Sequence, residues 1–126
     1  EGVKLPSGEN ISEIMTTIDH KKLLGVMLSC VSPENYEKNL DEIKSLGVPF
    51  GFKLNGFVTT KPAAGYTNTF NKSKTGNPNE FLGHREDLIP EKMALFVKKF
   101  KEAGATILGG CCETRPAHIK EMARLK

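Results

Sequence analysis

Residues 105–116 read ATILGGCCETRP and combine a strand signal, a thiol-bearing turn and a helix start. The run 105–108 is continuously apolar and too short for a helix, which is typical of a parallel strand covered on both faces. Two glycines and two cysteines follow it, and Pro116 then suits the first position of a helix. The segment therefore predicts a strand, a turn that carries two thiols, and a helix.

The same alternation extends through the rest of the chain. Short apolar runs at residues 23–28 and 48–54 predict two further strands. Capping residues and prolines predict that other helices begin after Asn10, after Ser32 and at Pro90, with the first running to about residue 18 and the next two ending at glycines 47 and 104. Alternating strands and helices predict an α/β fold with a parallel sheet.

Length and composition exclude several classes of protein. The 126 residues suit one domain, residues 1–126, and 18 basic against 15 acidic side chains give a net charge of only +3. So small an excess does not indicate a nucleic-acid partner or an anionic membrane surface. No apolar run approaches the ~18–20 residues of a membrane span, and the polar first 22 residues lack the apolar region of a secretory signal. We therefore expect no nucleic-acid or membrane partner.

Three cysteines carry the chemistry that the sequence suggests. Their odd number favours a reducing cytoplasm over a secreted disulfide framework. Cys30 follows the first predicted strand, and Cys111 and Cys112 follow the last, so we expect all three thiols at the carboxyl edge of the sheet. Thiolates from two strands form a soft-metal site, typically for zinc, and three protein ligands leave the open position of a catalytic zinc. The glycines at 109 and 110 would let the chain turn so that both adjacent thiols face the metal.

The spacing also leaves other interpretations open. The cysteines could be reduced residues without a metal, or Cys111 and Cys112 could form a redox pair or vicinal disulfide. His118 could complete a closed structural zinc site, whereas His20 and His84 carry no spacing argument. The irregular segment 58–89 is either a disordered insertion or a lid or substrate loop after the middle strand.

Several motifs together resemble one family of enzymes. The run GGCCETRPAHI at residues 109–119 resembles the carboxyl-terminal signature of the homocysteine S-methyltransferases. GVMLSC at 25–30 with SPE at 32–34 is similar to the family's earlier cysteine strand and turn. VPFG at 48–51 through NGF at 55–57 resembles its next strand, and residues 83–90 resemble the run into its penultimate helix.

This resemblance implies a fold and a reaction. It implies a (β/α)8 TIM barrel of which the chain holds the last three strands with flanking helices, and zinc held by Cys30, Cys111 and Cys112. Homocysteine would bind zinc through its thiol, lose its proton there and take a methyl group from a small activated donor, giving methionine. Asn55 matches the family motif and could reach the substrate, or it could simply form a turn before Gly56. Ser29 stands where the family often has Asn, which affects hydrogen bonding around the ligand rather than ligation.

The length points to a piece of such an enzyme. A barrel takes ~250 residues, so 126 residues predict a carboxyl-terminal part that lacks the amino-terminal half. Alone, this part is expected to bind zinc at best. The alternative is an inactive or metal-free α/β fragment that serves as a pairing or structural piece, completed by the missing half or by a second copy in a homo-oligomer.

Overall fold

A computed structural model describes residues 4–5, 7–18, 20–60 and 82–126. Strands and helices alternate along these residues, with a short 3-10 turn at His20–Lys22. The elements in chain order are α1 (Ile11–Ile14), β1 (Val26–Val31), α2 (Pro33–Lys38), α3 (Leu40–Ser45), β2 (Phe50–Leu54), α4 (Pro90–Glu102), β3 (Ile107–Gly110) and α5 (Pro116–Ala123). None of the described helices is long and apolar enough to cross a membrane.

The three strands form one parallel sheet with β2 in the centre. Phe52 of β2 is level with Leu28 of β1 and Leu108 of β3, and the register slips between Ser29 and Val31. The predicted α/β class with a parallel sheet is therefore confirmed. Three parallel strands flanked by helices are compatible with part of a barrel.

Aromatic side chains form the centre of the core. Tyr36 of α2, Phe52 of β2 and Phe100 of α4 are fully buried, with ring centroids 4.7–5.4 Å apart. Tilted and edge-to-face contacts of this kind add about 1 kcal/mol each beyond the burial of apolar area. The cluster ties two helices to the central strand, and so fixes the sheet edge from which the thiols project.

The predicted helix from Ser32 to Gly47 is broken in the structure. Its start is confirmed, because Ser32 accepts a hydrogen bond from the Asn35 amide at 3.3 Å. The break falls at Asn39, whose backbone leaves the helical region (φ −99°, ψ 0°) and whose side-chain amide donates to the Asn35 carbonyl at 2.7 Å. A short polar side chain that bonds the preceding turn competes with regular helix hydrogen bonding, which explains the interruption.

Other boundaries are also displaced from their predicted positions. The helix of Asn10 ends at Ile14 and gives way to turns up to residue 18. The first strand begins at Val26 and includes Cys30, and the last strand is shifted towards its carboxyl end, so that it includes both Gly109 and Gly110. Backbone pairing with β2 decides these bounds, because a glycine can pair in a sheet although it adds no apolar side chain to the pattern.

The two faces of the sheet differ, whereas continuous apolar runs predicted cover on both. In the described part of the chain, the helices pack on the face of Phe52 and Leu54. On the opposite face Met27 is 42% exposed and Ile107 is 36% exposed. Gly51 separates these two side chains at the same level, and a Cβ there would lie 1.9 Å from the Ile107 carbonyl oxygen. Among the described residues, the part of this face around Met27 and Ile107 is therefore apolar and open.

Candidate metal centre

The structure brings the three predicted thiols together at the carboxyl edge of the sheet. Their sulfur atoms all lie within 4.8 Å of one another. The Cys30 and Cys112 sulfurs are 3.8 Å apart, and those of Cys111 and Cys112 are 3.9 Å apart. Zinc–sulfur bonds of about 2.3 Å in a tetrahedral site place neighbouring sulfurs roughly 3.8 Å apart. The donor set and its spacing therefore fit a zinc ion.

Cys30 is held by an unusual backbone and by a buried amide. Its φ of +56° is a left-handed conformation that few non-glycine residues adopt, and it coincides with the register slip in β1. Asn55 is fully buried, donates from Nδ2 to the Cys30 carbonyl at 2.6 Å, and accepts from the Phe57 amide at 3.1 Å. Its Nδ2 also lies 3.8 Å from the Cys30 sulfur. Asn55 thereby couples the turn after β2 to the thiol of β1.

Cys111 and Cys112 are held mainly by backbone hydrogen bonds. The Cys111 amide donates to the Leu54 carbonyl at 2.7 Å, and the Gly56 amide donates to the Cys112 carbonyl at 2.9 Å. The turn closes through Thr114, whose amide donates to the Cys111 carbonyl at 3.1 Å. The adjacent thiols are therefore positioned by the end of β2 as well as by their own strand.

The prediction that Gly109 and Gly110 form the turn before the cysteines is wrong. Both lie within β3, and neither has a positive φ. A Cβ on Gly110 would lie 2.3 Å from the Thr114 hydroxyl oxygen, so this position needs a glycine for close approach. The left-handed residue of the turn is Glu113, with φ +61°.

The pKa values of Cys30 and Cys111 are shifted in opposite directions. Burial, followed by the neighbouring Cys111 and Cys112, raises the pKa of Cys30 to about 12. Burial also acts to raise the pKa of Cys111, but hydrogen bonds from Cys30 and from the backbone and thiol of Cys112, with the positive charge of Lys53, outweigh it and lower the pKa. Without metal, Cys111 therefore loses its proton at a lower pH than Cys30.

The histidines do not complete a four-ligand site among the described side chains. His118 is buried; its Nδ1 accepts from the Arg115 amide at 3.0 Å, and its Nε2 lies 2.9 Å from the Leu88 carbonyl. Because Nδ1 accepts, Nε2 carries the proton and donates, so neither nitrogen is available to a metal. His84 instead pairs with Glu113, and the side chain of His20 lies outside the described part.

Sequence reasoning missed three residues around the thiols. Glu113 Oε2 lies 2.8 Å from His84 Nδ1, although 29 positions separate the two residues in the chain. Lys53 lies on the open face of β2, level with Ser29 and Gly109. For Glu113 the available signal was its place in a short turn between strand and helix, where a left-handed residue is common. Nothing local marks the other two.

Comparisons with known proteins agree with the resemblance noted in the sequence. The chain is 28% identical to "Homocysteine S-methyltransferase 2" of Arabidopsis thaliana, over 95% of this chain and 32% of that protein. It is 29% identical to "Selenocysteine Se-methyltransferase" of Brassica oleracea var. italica, over 95% of this chain and 31% of that protein. It is 25% identical to "Homocysteine S-methyltransferase 1" of Zea mays, over 99% of this chain and 35% of that protein.

The chain thus spans about a third of the length of these curated relatives. No solved structure matches it. The sequence model of the family described as "Homocysteine S-methyltransferase" matches residues 1–125, which is nearly the whole chain. The chain belongs to the homocysteine S-methyltransferase family.

Proposed function

We propose that the chain supplies the zinc-binding part of an enzyme that transfers a methyl group from a small activated donor to the thiol of homocysteine, forming methionine. The observation that supports this most strongly is the group of three cysteine sulfurs within 4.8 Å at the carboxyl edge of a parallel sheet. Family membership supports the acceptor, because the relatives are named for methyl transfer to homocysteine and selenocysteine.

Cys30, Cys111 and Cys112 would hold the zinc and leave its fourth position open. Bound zinc would supply a site where an incoming thiol loses its proton at neutral pH while its sulfur stays nucleophilic. The protein's own thiols must reach the deprotonated state for this, so metal binding releases protons. Of Cys30 and Cys111, Cys111 begins closer to that state.

We further propose that residues 1–126 form the last three strands of a (β/α)8 barrel. The parallel order β1–β2–β3 and the open apolar face of Met27 and Ile107 support this, because a barrel covers that face with side chains from its other strands. A reduced group of three thiols also favours a reducing compartment such as the cytoplasm.

Asn55 remains a predicted substrate-binding residue. Its present contacts give it a positioning role, since both of its polar atoms bond to protein and its side chain is fully buried. Contact with substrate would require it to exchange one of these bonds. In the proposed enzyme, Asn55 would therefore mainly position Cys30 through the hydrogen bond to its carbonyl.

The zinc stoichiometry of the purified protein tests the proposal. We expect about one zinc per chain, shielding three thiols from a thiol reagent until a chelator removes the metal. Cys30→Ser, Cys111→Ser and Cys112→Ser should each abolish tight binding, whereas Ser45→Ala, which changes one exposed side chain away from the thiols, should not. Full zinc affinity in any one of the cysteine variants, with folding shown by circular dichroism, would refute the shared site.

A second candidate function is that of an inactive or metal-free pairing piece. The observation in its favour is the open face, on which Met27 is 42% exposed and Ile107 is 36% exposed. We expect a second copy, or the remaining part of a barrel, to cover it. In sedimentation experiments, Met27→Glu with Ile107→Glu should then weaken association, while Leu95→Glu on the outer side of α4 should not. A compact monomer at every concentration would count against this function.

A further inference from the structure

Glu113, directly after Cys112, combines a strained backbone with a nearly buried charge. Its φ is +61°, and among the described non-glycine residues only Cys30, at +56°, also has a positive φ. The side chain of Glu113 is 9% exposed. Strained residues persist only where surrounding contacts hold them, and a buried carboxylate needs a partner. Both features call for a specific contact to Glu113.

His84 provides that contact from another segment of the chain. Its Nδ1 lies 2.8 Å from Glu113 Oε2, and its own side chain is 42% exposed. The backbone of this segment is bonded in turn to the residues that follow β2, with an antiparallel bridge between Phe57 and His84 and an Arg85 amide that donates to the Gly56 carbonyl at 2.8 Å. His84 is thus anchored independently of Glu113.

Gly56 lies between the two partners. Its amide donates to the Cys112 carbonyl at 2.9 Å, and a Cβ on Gly56 would lie 3.1 Å from the Cβ of Glu113. The backbone of Cys112 and the side chain of Glu113, which follow β3, therefore both contact Gly56, and His84 contacts Glu113 from the segment that pairs with Phe57. Three segments meet at this point, next to a predicted zinc ligand.

We propose that Glu113 and His84 form a clamp that positions the Cys112 thiol within the group of three. This proposal rests on the proposed zinc-binding function, because the expected effect of a misplaced Cys112 sulfur is weaker binding of zinc. Neither residue is a ligand; both are positioning residues that act through the backbone of Cys112. Contacts that orient a ligand from outside typically change metal affinity 10–100-fold when removed.

Zinc affinity, measured by competition with a chelator, tests the clamp. Glu113→Ala and His84→Ala should each weaken zinc binding about tenfold or more, and the double variant should be no weaker than the single ones, because either change breaks the same contact. Glu113→Gln, which can still accept a hydrogen bond, should retain most of the affinity. Glu102→Gln is a control for the loss of an exposed carboxylate on α4.

Glu113→Gly separates the clamp from backbone strain. Glycine accepts a φ near +61° without strain, so a strain effect alone predicts unchanged or tighter zinc binding in this variant. The clamp predicts weakening as large as in Glu113→Ala. Tight zinc binding by Glu113→Gly, or by folded Glu113→Ala and His84→Ala, would overturn the proposal.

A second probe works without zinc and keeps this test separate from that of the proposed function. Phenylarsine oxide binds to pairs of thiols that lie close together, and any two of the three thiols are close enough to bind it. The metal-free Cys30→Ser variant is therefore the background for this test, because the reagent then reports the position of Cys112 relative to Cys111. We expect the Cys30→Ser variant to take up the reagent, and the same variant with Glu113→Ala or His84→Ala to take it up several-fold more slowly, with peptide mapping to locate it. If the wild type binds no zinc, the function proposed above fails; equal uptake by all variants would still overturn the clamp.

Discussion

At the scale of single residues, the candidate site depends on side chains that bind no metal themselves. Asn55 uses both of its polar atoms within the protein, and Lys53 lies on the open face beside the thiols. The three cysteines could be predicted because each follows a strand signal at the same sheet edge. Asn55 could be noted only as a motif residue, since its bond to Cys30 joins positions 25 apart in the chain.

Replacement of Asn55 by Ala should destabilise the protein and weaken zinc binding together. The change leaves the Cys30 carbonyl and the Phe57 amide without their partner, at a cost of about 1–3 kcal/mol for each buried group. Urea unfolding and chelator competition would measure the two effects. Asn35→Ala is a matched control, because in the described structure the buried Asn35 Oδ1 has no hydrogen-bond partner. Equal effects from both variants would contradict the role assigned to Asn55.

Replacement of Lys53 by Met should raise the pKa of the Cys111 thiol. Burial raises the pKa of Cys111, whereas hydrogen bonds with Cys30 and Cys112 lower it, and the positive charge of Lys53 lowers it further. Loss of the charge disfavours the thiolate, so alkylation of Cys111 in metal-free protein should need higher pH. The measurement is the alkylation rate against pH, with Cys111 identified by peptide mapping. Lys53→Arg, which keeps the charge, should leave the profile in place; a shift in both variants would argue against electrostatics.

At the scale of elements, one ion-pair group ties α2 to the segment before α4. Arg85 donates from two guanidinium nitrogens to Glu34 at 2.7 and 2.8 Å, and also to Asp87. The pKa of the Glu34 carboxyl is lowered, chiefly by its hydrogen bond to Arg85. Because the side chain of Glu34 is 44% exposed, solvent screening keeps the pair to about 1 kcal/mol or less.

This pair predicts a particular dependence of stability on pH. A carboxyl whose pKa is lowered by folding stabilises the folded state above its ordinary pKa, and this contribution is lost as pH falls through the lowered value. Arg85→Met should therefore be less stable than wild type near pH 7, and the difference should shrink below about pH 4.5, the ordinary value for Glu. Urea midpoints from pH 7 to pH 3 would show this. Lys98→Met, which removes an exposed partner of Glu102, is the control; a difference independent of pH would contradict the assignment.

Helix starts could be predicted from neighbouring residues, whereas features that depend on competing or distant hydrogen bonds could not. The starts could be predicted because their signals lie within a few positions of one another in the chain, as with Ser32 and Pro33 or Asn10 and Glu13. The break at Asn39 was missed because it depends on a choice between two local hydrogen bonds. The bounds of β3 were missed because pairing with β2, which lies more than 50 residues earlier, decides them. The segment 61–81 of the predicted lid or insertion lies outside the described residues.

At the scale of the whole molecule, the described helices cover one face of the sheet and leave the other face open. The covered face holds the aromatic core, and the thiols lie at the edge that both faces share. The open face could not be predicted from the apolar runs, because a continuous run marks both faces as suited to burial without saying what buries them. We therefore propose that this chain builds the aromatic core by itself and that a partner covers the open face.

In the proposed site, three cysteines hold one zinc and leave a position for a substrate thiol. X-ray absorption at the zinc edge of the purified protein measures this arrangement. We predict three sulfur neighbours at about 2.3 Å with one lighter neighbour, and a fourth sulfur after addition of homocysteine. A shell with fewer than three sulfurs, or one completed by imidazole nitrogen and unchanged by homocysteine, would show that this site is wrong.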